Sequence, residues 1–249
     1  MKRVFAVSLV VLVALLAVPT AAQTPALPTV DQVLEKYIAA LGGRAALEKI
    51  SSRVATGAIE IPDVGVSGTI HISEKAPNKA LAVIELTNMT PIREGTDGVV
   101  AWEESPQTGL KDKTGTDLAD AKRGATFSAE LKMKTIYKTL AVTGVEKVGM
   151  RDAYAMLATP AEGTPTKMYF DVASGLLVRQ LITRNTEMGP MDIDVFLDDY
   201  RDVGGTKQPF MLRQVTPAFT MVITIGDIKH NVELDDAIFK RPGAPVPSR

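Results

Sequence analysis

The stretch from Lys167 to Val215 constrains the fold of this chain more than any other part of the sequence, because short turns join four strand-like segments within it. Along one segment, aliphatic residues alternate with mostly acidic ones, which places the two kinds on opposite faces of a strand. The aliphatic residues are Met191, Ile193, Val195 and Leu197, and those between and after them are Asp192, Asp194, Phe196 and Asp198. Short turns join antiparallel strands, since parallel neighbours require a long crossover. The stretch therefore predicts an antiparallel meander with one apolar face.

Residues that favour turns separate the four segments of this meander. They are Asp171 to Gly175, Met188-Gly189-Pro190, and Gly204-Gly205. Other segments rich in Val, Ile and Thr precede and follow the meander, which raises the predicted count to about ten or eleven strands. A sheet of that size curls, and its strands are linked too closely for helices to cross over between them.

Two helices are predicted to cover this sheet. The first begins after Thr29, which forms a capping box with Gln32, and its apolar residues recur at helical spacing as far as Leu41. The second is predicted from Thr126 to Lys138 and carries Met133 on its apolar side. The predicted fold class is therefore α+β, with a curled, largely antiparallel sheet that forms an unclosed half-barrel under two main helices.

Residues 1–22 predict a signal peptide. Lys2 and Arg3 supply a positive start, and Val4 to Val18 is almost wholly apolar but short for a membrane span. Small residues at Thr20-Ala21-Ala22 predict cleavage before Gln23, and an uncleaved membrane anchor is the alternative. The sequence thus indicates an exported protein with no stable membrane span once the signal has been removed.

The rest of the chain predicts one domain. We expect a linker at residues 23–28, the domain at 29–241, and a disordered tail at 242–249, where Pro and Gly are frequent. The chain contains no cysteine, which excludes disulfides and thiol chemistry. Its net charge of −1, with mixed signs along the chain, gives no electrostatic footprint for nucleic acid.

The sequence offers no catalytic pattern. It has no nucleophile elbow, phosphate loop or zinc-binding helix motif, and it has two histidines, His71 and His230. The acidic residues Asp192, Asp194 and Asp198 would suit a calcium site or an acid–base pair, but a half-solvated strand produces the same alternation without any function. We therefore expect no enzymatic activity, no catalytic residues, no metal and no cofactor.

Apolar residues on the sheet and helices are the candidate binding residues. Methionine adapts to varied hydrophobic surfaces, so several methionines on the apolar face favour a wall that holds a hydrophobic ligand. The alternative is that the helices fill the sheet and these residues are ordinary core. The candidates are Met133, Met191, Ile193, Val195, Leu197, Met221, Ile223 and Ile225.

Four segments carry a resemblance to a known family: VDQVLEKYIAALGGRAALEKISSRVATGAIEI, FDVASGLLVRQL, DDYRDVGGTKQPF and IKHNVELDDAIFKRP. Together they resemble the bacterial outer-membrane lipoprotein-sorting proteins of the LolA/LolB superfamily. The resemblance implies an unclosed β-barrel whose helical lid covers a hydrophobic cavity for acyl chains, and a periplasmic location. It also implies that an arginine helps to hold the lid, for which Arg44 and Arg53 are the nearby basic residues.

Three hypotheses about function follow from the sequence. The first is a periplasmic carrier or chaperone for a lipid, for the acyl chains of a lipoprotein or for another hydrophobic ligand. The second is a non-catalytic envelope sensor or interaction module that binds a protein partner of the cell envelope on the same fold. The third, a hydrolase, requires carboxylates that converge in a pocket. An open space between sheet and helices would favour the first hypothesis.

Overall fold

The computed structural model describes residues 26–186 and 189–243. The predicted signal peptide, the predicted turn residue Met188 and residues 244–249 of the predicted tail lie outside these ranges. None of the helices within them is long and apolar enough to cross a membrane.

The described residues form one antiparallel sheet of 13 strands, and this sheet is the framework of the domain. In chain order the strands are β1 (Ser52–Ile61), β2 (Val66–Lys75), β3 (Lys79–Leu86), β4 (Ile92–Thr96), β5 (Ala101–Ser105), β6 (Gly109–Asp112), β7 (Thr139–Val148), β8 (Arg151–Thr159), β9 (Thr166–Asp171), β10 (Leu177–Thr186), β11 (Gly189–Val203), β12 (Thr206–Val215) and β13 (Thr220–His230). The predicted fold class, an α+β fold built on a curled and unclosed antiparallel sheet, is confirmed.

The order of strands across the sheet divides it into two meanders. The order is β6-β5-β4-β3-β2-β1-β13-β12-β11-β10-β9-β8-β7. We call β1–β6 the first wing, β7–β13 the second wing, and the pairing of β1 with β13 the seam. The two edge strands, β6 and β7, are consecutive in the sequence, so the segment 113–138 that joins them runs from one edge of the sheet to the other. We call this segment the strap.

The sheet has more strands than the sequence predicted. The additional ones include β4 and β6, which are short and rich in charged or glycine residues, so neither shows the apolar alternation that reveals a strand. Their pairing depends on neighbours in the first wing: Ala82 of β3 lies opposite Glu94, and Trp102 of β5 lies opposite Asp112. The turn between β4 and β5 is stabilised by the Asp97 carboxylate, which accepts hydrogen bonds from the backbone N–H groups of Val99 and Val100.

The first predicted helix is confirmed as α1 (Val30–Ala40), which is followed by the short helix α2 (Arg44–Leu47). The Thr29 hydroxyl accepts a hydrogen bond from the Gln32 backbone N–H, and the Gln32 side chain accepts one from the Thr29 N–H at 2.8 Å. The end of α1 is attached to the sheet, because the Lys207 backbone N–H donates to the Leu41 carbonyl at 2.9 Å.

The second predicted helix is wrong as a continuous element. Ser128 lies in the left-handed region, with φ of 51°, and Lys132 has φ of −119° and ψ of 7°, so the backbone leaves the helical conformation on both sides of a 3-10 turn at Ala129–Leu131. What remains is the short helix α4 (Met133–Ile136). The longer helix of the strap is α3 (Gly115–Gly124), which is not one of the two predicted helices.

The concave and convex faces of the sheet carry different residues, as the alternation in β11 predicts. On the convex face, Asp194 accepts a hydrogen bond from Arg179 at 2.6 Å, and the Arg179 guanidinium lies 4.7 Å from the centre of the Tyr169 ring. Asp198 pairs with Arg151 at 3.2 Å. Each of these carboxylates is therefore paired with an arginine on a half-exposed face. Calcium binding or acid–base chemistry would require the carboxylates to converge on one point, and Asp194 and Asp198 do not.

Candidate ligand-binding cavity

A cavity of about 790 Å³ lies between the concave face of the sheet and the strap. The first wing contributes Ile72, Ala80 and Ala82, and the second contributes residues of β9 and β10. The strap lies over the remaining side, where it contacts both wings: the Phe127 backbone N–H donates to the Pro77 carbonyl, and Arg123 donates to the Thr164 carbonyl at 3.1 Å. The helical layer therefore does not fill the sheet.

One part of the cavity is apolar and aromatic. Apart from Ile182, its lining residues belong to a core cluster in which α1 and α4 pack on β8 and β9. Part of this cluster borders the cavity. The Tyr37 and Phe170 rings pack edge to face, with centroids 5.1 Å apart. The apolar lining residues of this part are Tyr37, Met133, Ile136, Tyr137, Met168, Phe170, Leu177 and Ile182.

Of the eight candidate residues, Met133 lines this cavity. Three candidates of β11 continue its floor, because they lie directly opposite lining residues of β10 in the antiparallel register. The pairs are Ile193 with Ile182, Met191 with Arg184, and Val195 with Gln180. Ile193 and Val195 are buried and Met191 is half-buried. The aliphatic residues of this alternation thus lie on the cavity side of the sheet, one strand away from the open space.

The other four candidates lie on the same face but within packed core. Leu197 packs against the cluster beneath α1 and α4. Ile223, Ile225 and Met221 belong to a second cluster that strand residues alone build around the seam. Ile223 lies opposite Leu212 on one side and Ile59 on the other, so its neighbours are side chains of the same sheet. The structure does not bring these four residues to the cavity wall.

Charged side chains form the other part of the lining. Lys113 pairs with Glu94 and lies 3.6 Å from Glu103, and Arg184 lies 3.8 Å from Glu94. Burial acts to raise the pKa of Glu94, but the neighbouring Lys113 and Arg184 hold it below its ordinary value. On α3, Asp120 pairs with Arg123 at 2.5 Å. Sequence reasoning missed Glu94, Lys113 and Arg184 because they come from separate segments of the chain, and no local pattern brings them together.

An arginine anchors the strap beside the cavity. The Arg53 guanidinium donates to Glu74 at 2.7 Å and to Gln208 at 2.6 Å, and it lies 5.8 Å from the centre of the Phe127 ring. Arg53 therefore connects the two wings and the strap. Arg44 instead makes an exposed pair with Glu35 on the helical layer.

The cavity lining combines apolar side chains with charged groups that are largely paired. Its carboxylates are mostly engaged by lysine or arginine, and no histidine is among the lining residues. Within the described ranges, no group of three or more His, Asp or Glu side chains is placed to hold a metal ion.

Comparisons with known proteins support the fold. No family model matches the sequence, and no curated protein is significantly similar to it. A LolA superfamily protein from Nitrosomonas europaea has a similar structure, with 15% identity and a TM-score of 0.56, and the match covers 86% of this chain and 98% of that one. A DUF1329 family protein from Desulfovibrio piger has 13% identity and a TM-score of 0.57, with coverage of 85% and 97%. The LolA-like fold that the sequence motifs predicted is therefore confirmed.

Proposed function

We propose that this protein is a non-catalytic carrier that holds a hydrophobic ligand, such as a lipid or the acyl chains of a lipoprotein, on the concave face of its sheet. The observation that carries the proposal is the open cavity of about 790 Å³ between sheet and strap. This volume falls within the range of about 300–1,000 Å³ that is typical of small-ligand sites, which are largely apolar with a few polar groups.

The binding wall in this proposal is centred on Met133 and on the floor formed by β10 and β11. Met191, Ile193 and Val195 extend that floor, while Leu197, Met221, Ile223 and Ile225 support it from the packed core. The predicted signal peptide and the LolA-like fold support a periplasmic location for the carrier. Donor and acceptor proteins in the envelope are the partners that such a carrier requires.

The second candidate function is an envelope sensor or interaction module. One observation favours it: β7 is an edge strand of ten residues, and Val145 within it and Met150 beside it are exposed. An unpaired strand edge can add a strand from a partner protein. The open cavity favours the carrier, since a module that binds only through its edge has no need of an empty interior.

The proposal is tested by two substitutions at neighbouring positions of β10. Ile182 lines the cavity, whereas Leu181 lies on the opposite face, across from Asp194 and Lys167. We expect Ile182→Glu to reduce uptake of a fluorescent fatty acid at least about tenfold, because a carboxylate in an apolar wall must be desolvated when the ligand binds. Leu181→Glu places the same charge beside Lys167 and leaves uptake unchanged.

The measurements are native mass spectrometry of the gently purified protein and a fluorescence titration, with circular dichroism to show that both variants fold. Wild-type protein that carries no lipid and takes up no fatty acid would contradict the carrier and leave the interaction module as the better explanation. Equal loss of uptake in the two variants would contradict the assignment of the concave face.

A further inference from the structure

The aromatic part of the cavity has the features that recognise a positive charge. Tyr37, Tyr137 and Phe170 present three rings to the lining, and aromatic faces attract cations, quaternary ammonium groups above all. The structure already shows this contact, since the Arg123 guanidinium lies 5.6 Å from the centre of the Tyr137 ring. The Tyr37 ring packs against Phe170 and is the more exposed of the two, since Phe170 is only 1% exposed.

The positive charges of the cavity lining all have carboxylate partners, whereas its negative charges differ in how they are paired. Each of its cations is held by a carboxylate: Lys111 by Glu103, Lys113 by Glu94 and Glu103, Arg123 by Asp120, and Arg184 by Glu94. Besides Glu130, three further carboxylates line the cavity: Glu74 and Asp112 are paired with Arg53 and Arg241 from outside the lining, and Asp117 also has an interaction partner. An anionic ligand would therefore have to displace an existing partner from any cation it approached.

Glu130 differs from these carboxylates. It lies on the 3-10 turn of the strap and lines the cavity, and in residues 26–186 and 189–243 it makes neither a hydrogen bond nor a contact ion pair. Tyr37 is close enough for its pKa to respond: burial raises that pKa, Glu130 raises it further, and Arg53 opposes the rise. Arg53 is a positive charge that interacts electrostatically with Glu130, and two of its nitrogens already donate to Glu74 and Gln208.

We infer that the ligand is an amphiphile with a cationic, ammonium-type head group, which rests against Glu130 and the Tyr37 ring. The inference rests on the proposed function and specifies the ligand class for the same cavity. Glu130 has no contact ion pair among the described residues and supplies the negative charge for the head group, while the Tyr37 ring shields that contact from water. The alkyl chain lies along the apolar residues of α4, β9 and β10.

The test compares three amphiphiles that share one alkyl chain and differ in head group: dodecyltrimethylammonium, dodecyl maltoside and dodecanoate. Each is titrated into the purified protein below its critical micelle concentration at neutral pH, with binding followed by isothermal calorimetry. We expect wild-type protein to bind the ammonium compound about tenfold more tightly than dodecanoate, because a partly buried carboxylate attracts the cation and repels the anion.

Glu130→Gln keeps the shape of the side chain and removes its charge. It is expected to reduce the preference for the ammonium compound over dodecanoate to about threefold or less, while the affinity for dodecyl maltoside stays the same. The control is Glu60→Gln, an exposed glutamate of β1 that does not line the cavity. This variant leaves the preference at its wild-type value.

Two results would overturn the inference alone: wild-type protein that binds dodecanoate as tightly as the ammonium compound, or a preference that Glu130→Gln leaves unchanged. In both cases the protein still binds amphiphiles, so the carrier function stands. Failure of all three compounds to bind would overturn the carrier function and the inference together.

Discussion

Arg53 connects three parts of the molecule through one guanidinium group. Its hydrogen bonds reach Glu74 in the first wing and Gln208 in the second, and its planar face lies over Phe127 in the strap. Gln208 is only 7% exposed, so its side-chain oxygen has no water to replace a lost donor. Arg53 thus contacts both wings and the strap, whereas Arg44 makes an exposed pair with Glu35.

Replacement of the two arginines separates these roles. Arg53→Met is expected to lower the free energy of unfolding by about 2–4 kcal/mol, since it leaves the Glu74 carboxylate and the buried Gln208 oxygen without their hydrogen-bond donor. Arg44→Met removes an exposed pair and is expected to cost less than about 1 kcal/mol. Urea unfolding at neutral pH measures both values. Equal effects would show that the Arg53 network contributes no more than a surface ion pair.

At the scale of elements, the 3-10 turn at Asp236–Phe239 packs against the first wing, where it contacts β2, β3 and β5. Phe239 is fully buried, and its carbonyl accepts a hydrogen bond from the Trp102 indole at 3.2 Å. Asp236 holds the turn to the hairpin of β2 and β3, because its carboxylate accepts hydrogen bonds from Lys75 at 2.8 Å and from Lys79 at 2.5 Å. These bonds lower the pKa of Asp236 to about 2.

A depressed pKa makes this attachment sensitive to acid. The contribution of Asp236 is complete above the ordinary aspartate pKa of about 3.9 and is lost as the pH falls through about 2. We expect Asp236→Asn to flatten the dependence of the melting temperature on pH within this window. Asp227→Asn, which changes an exposed aspartate paired with Lys229, serves as the control. A wild-type pH profile in Asp236→Asn would contradict the role of these hydrogen bonds.

The elements also show what local sequence determines. The capping box at Thr29 and the alternation in β11 depend on neighbours in the chain, and both predictions were confirmed. The break at Ser128 was missed because the strap bends to contact Pro77 and Arg53, which no local pattern reveals. Likewise, the alternation identified the apolar face, but the position of the open space depends on how the strap crosses it. Glu130 in particular carried no signal in the sequence.

At the scale of the whole molecule, the cavity depends on the seam that joins the two wings. Gly57 lies at a bulge in the pairing of β1 with β13. A Cβ atom at this position would lie 2.3 Å from the Thr224 carbonyl oxygen, which is backbone and cannot rotate away. Since the cavity has walls from both wings, displacement at the seam changes the distance between those walls.

This close approach predicts a large effect from a small substitution. Gly57→Ala is expected to lower the free energy of unfolding by about 1–3 kcal/mol and to weaken amphiphile binding, because the added methyl group forces the two strands apart. Gly144→Ala in the edge strand β7 meets no atom within 4 Å and is expected to change stability by less than about 0.5 kcal/mol. Urea unfolding and dodecyl maltoside titration check both expectations, and similar stability of the two variants would contradict the first.

The strand order has a consequence for how the protein folds during synthesis. Each wing is a meander whose hairpins pair soon after they leave the ribosome, but β1 is made almost first and its partner β13 almost last. Until β13 appears, β1 has one unpaired edge, and closing the seam requires the largest chain loop in the fold. The two walls of the cavity meet only at that moment. The protein can therefore bind a ligand only after β13 has been synthesised. A nascent chain that stops before β13 can form hairpins, but it cannot form the cavity.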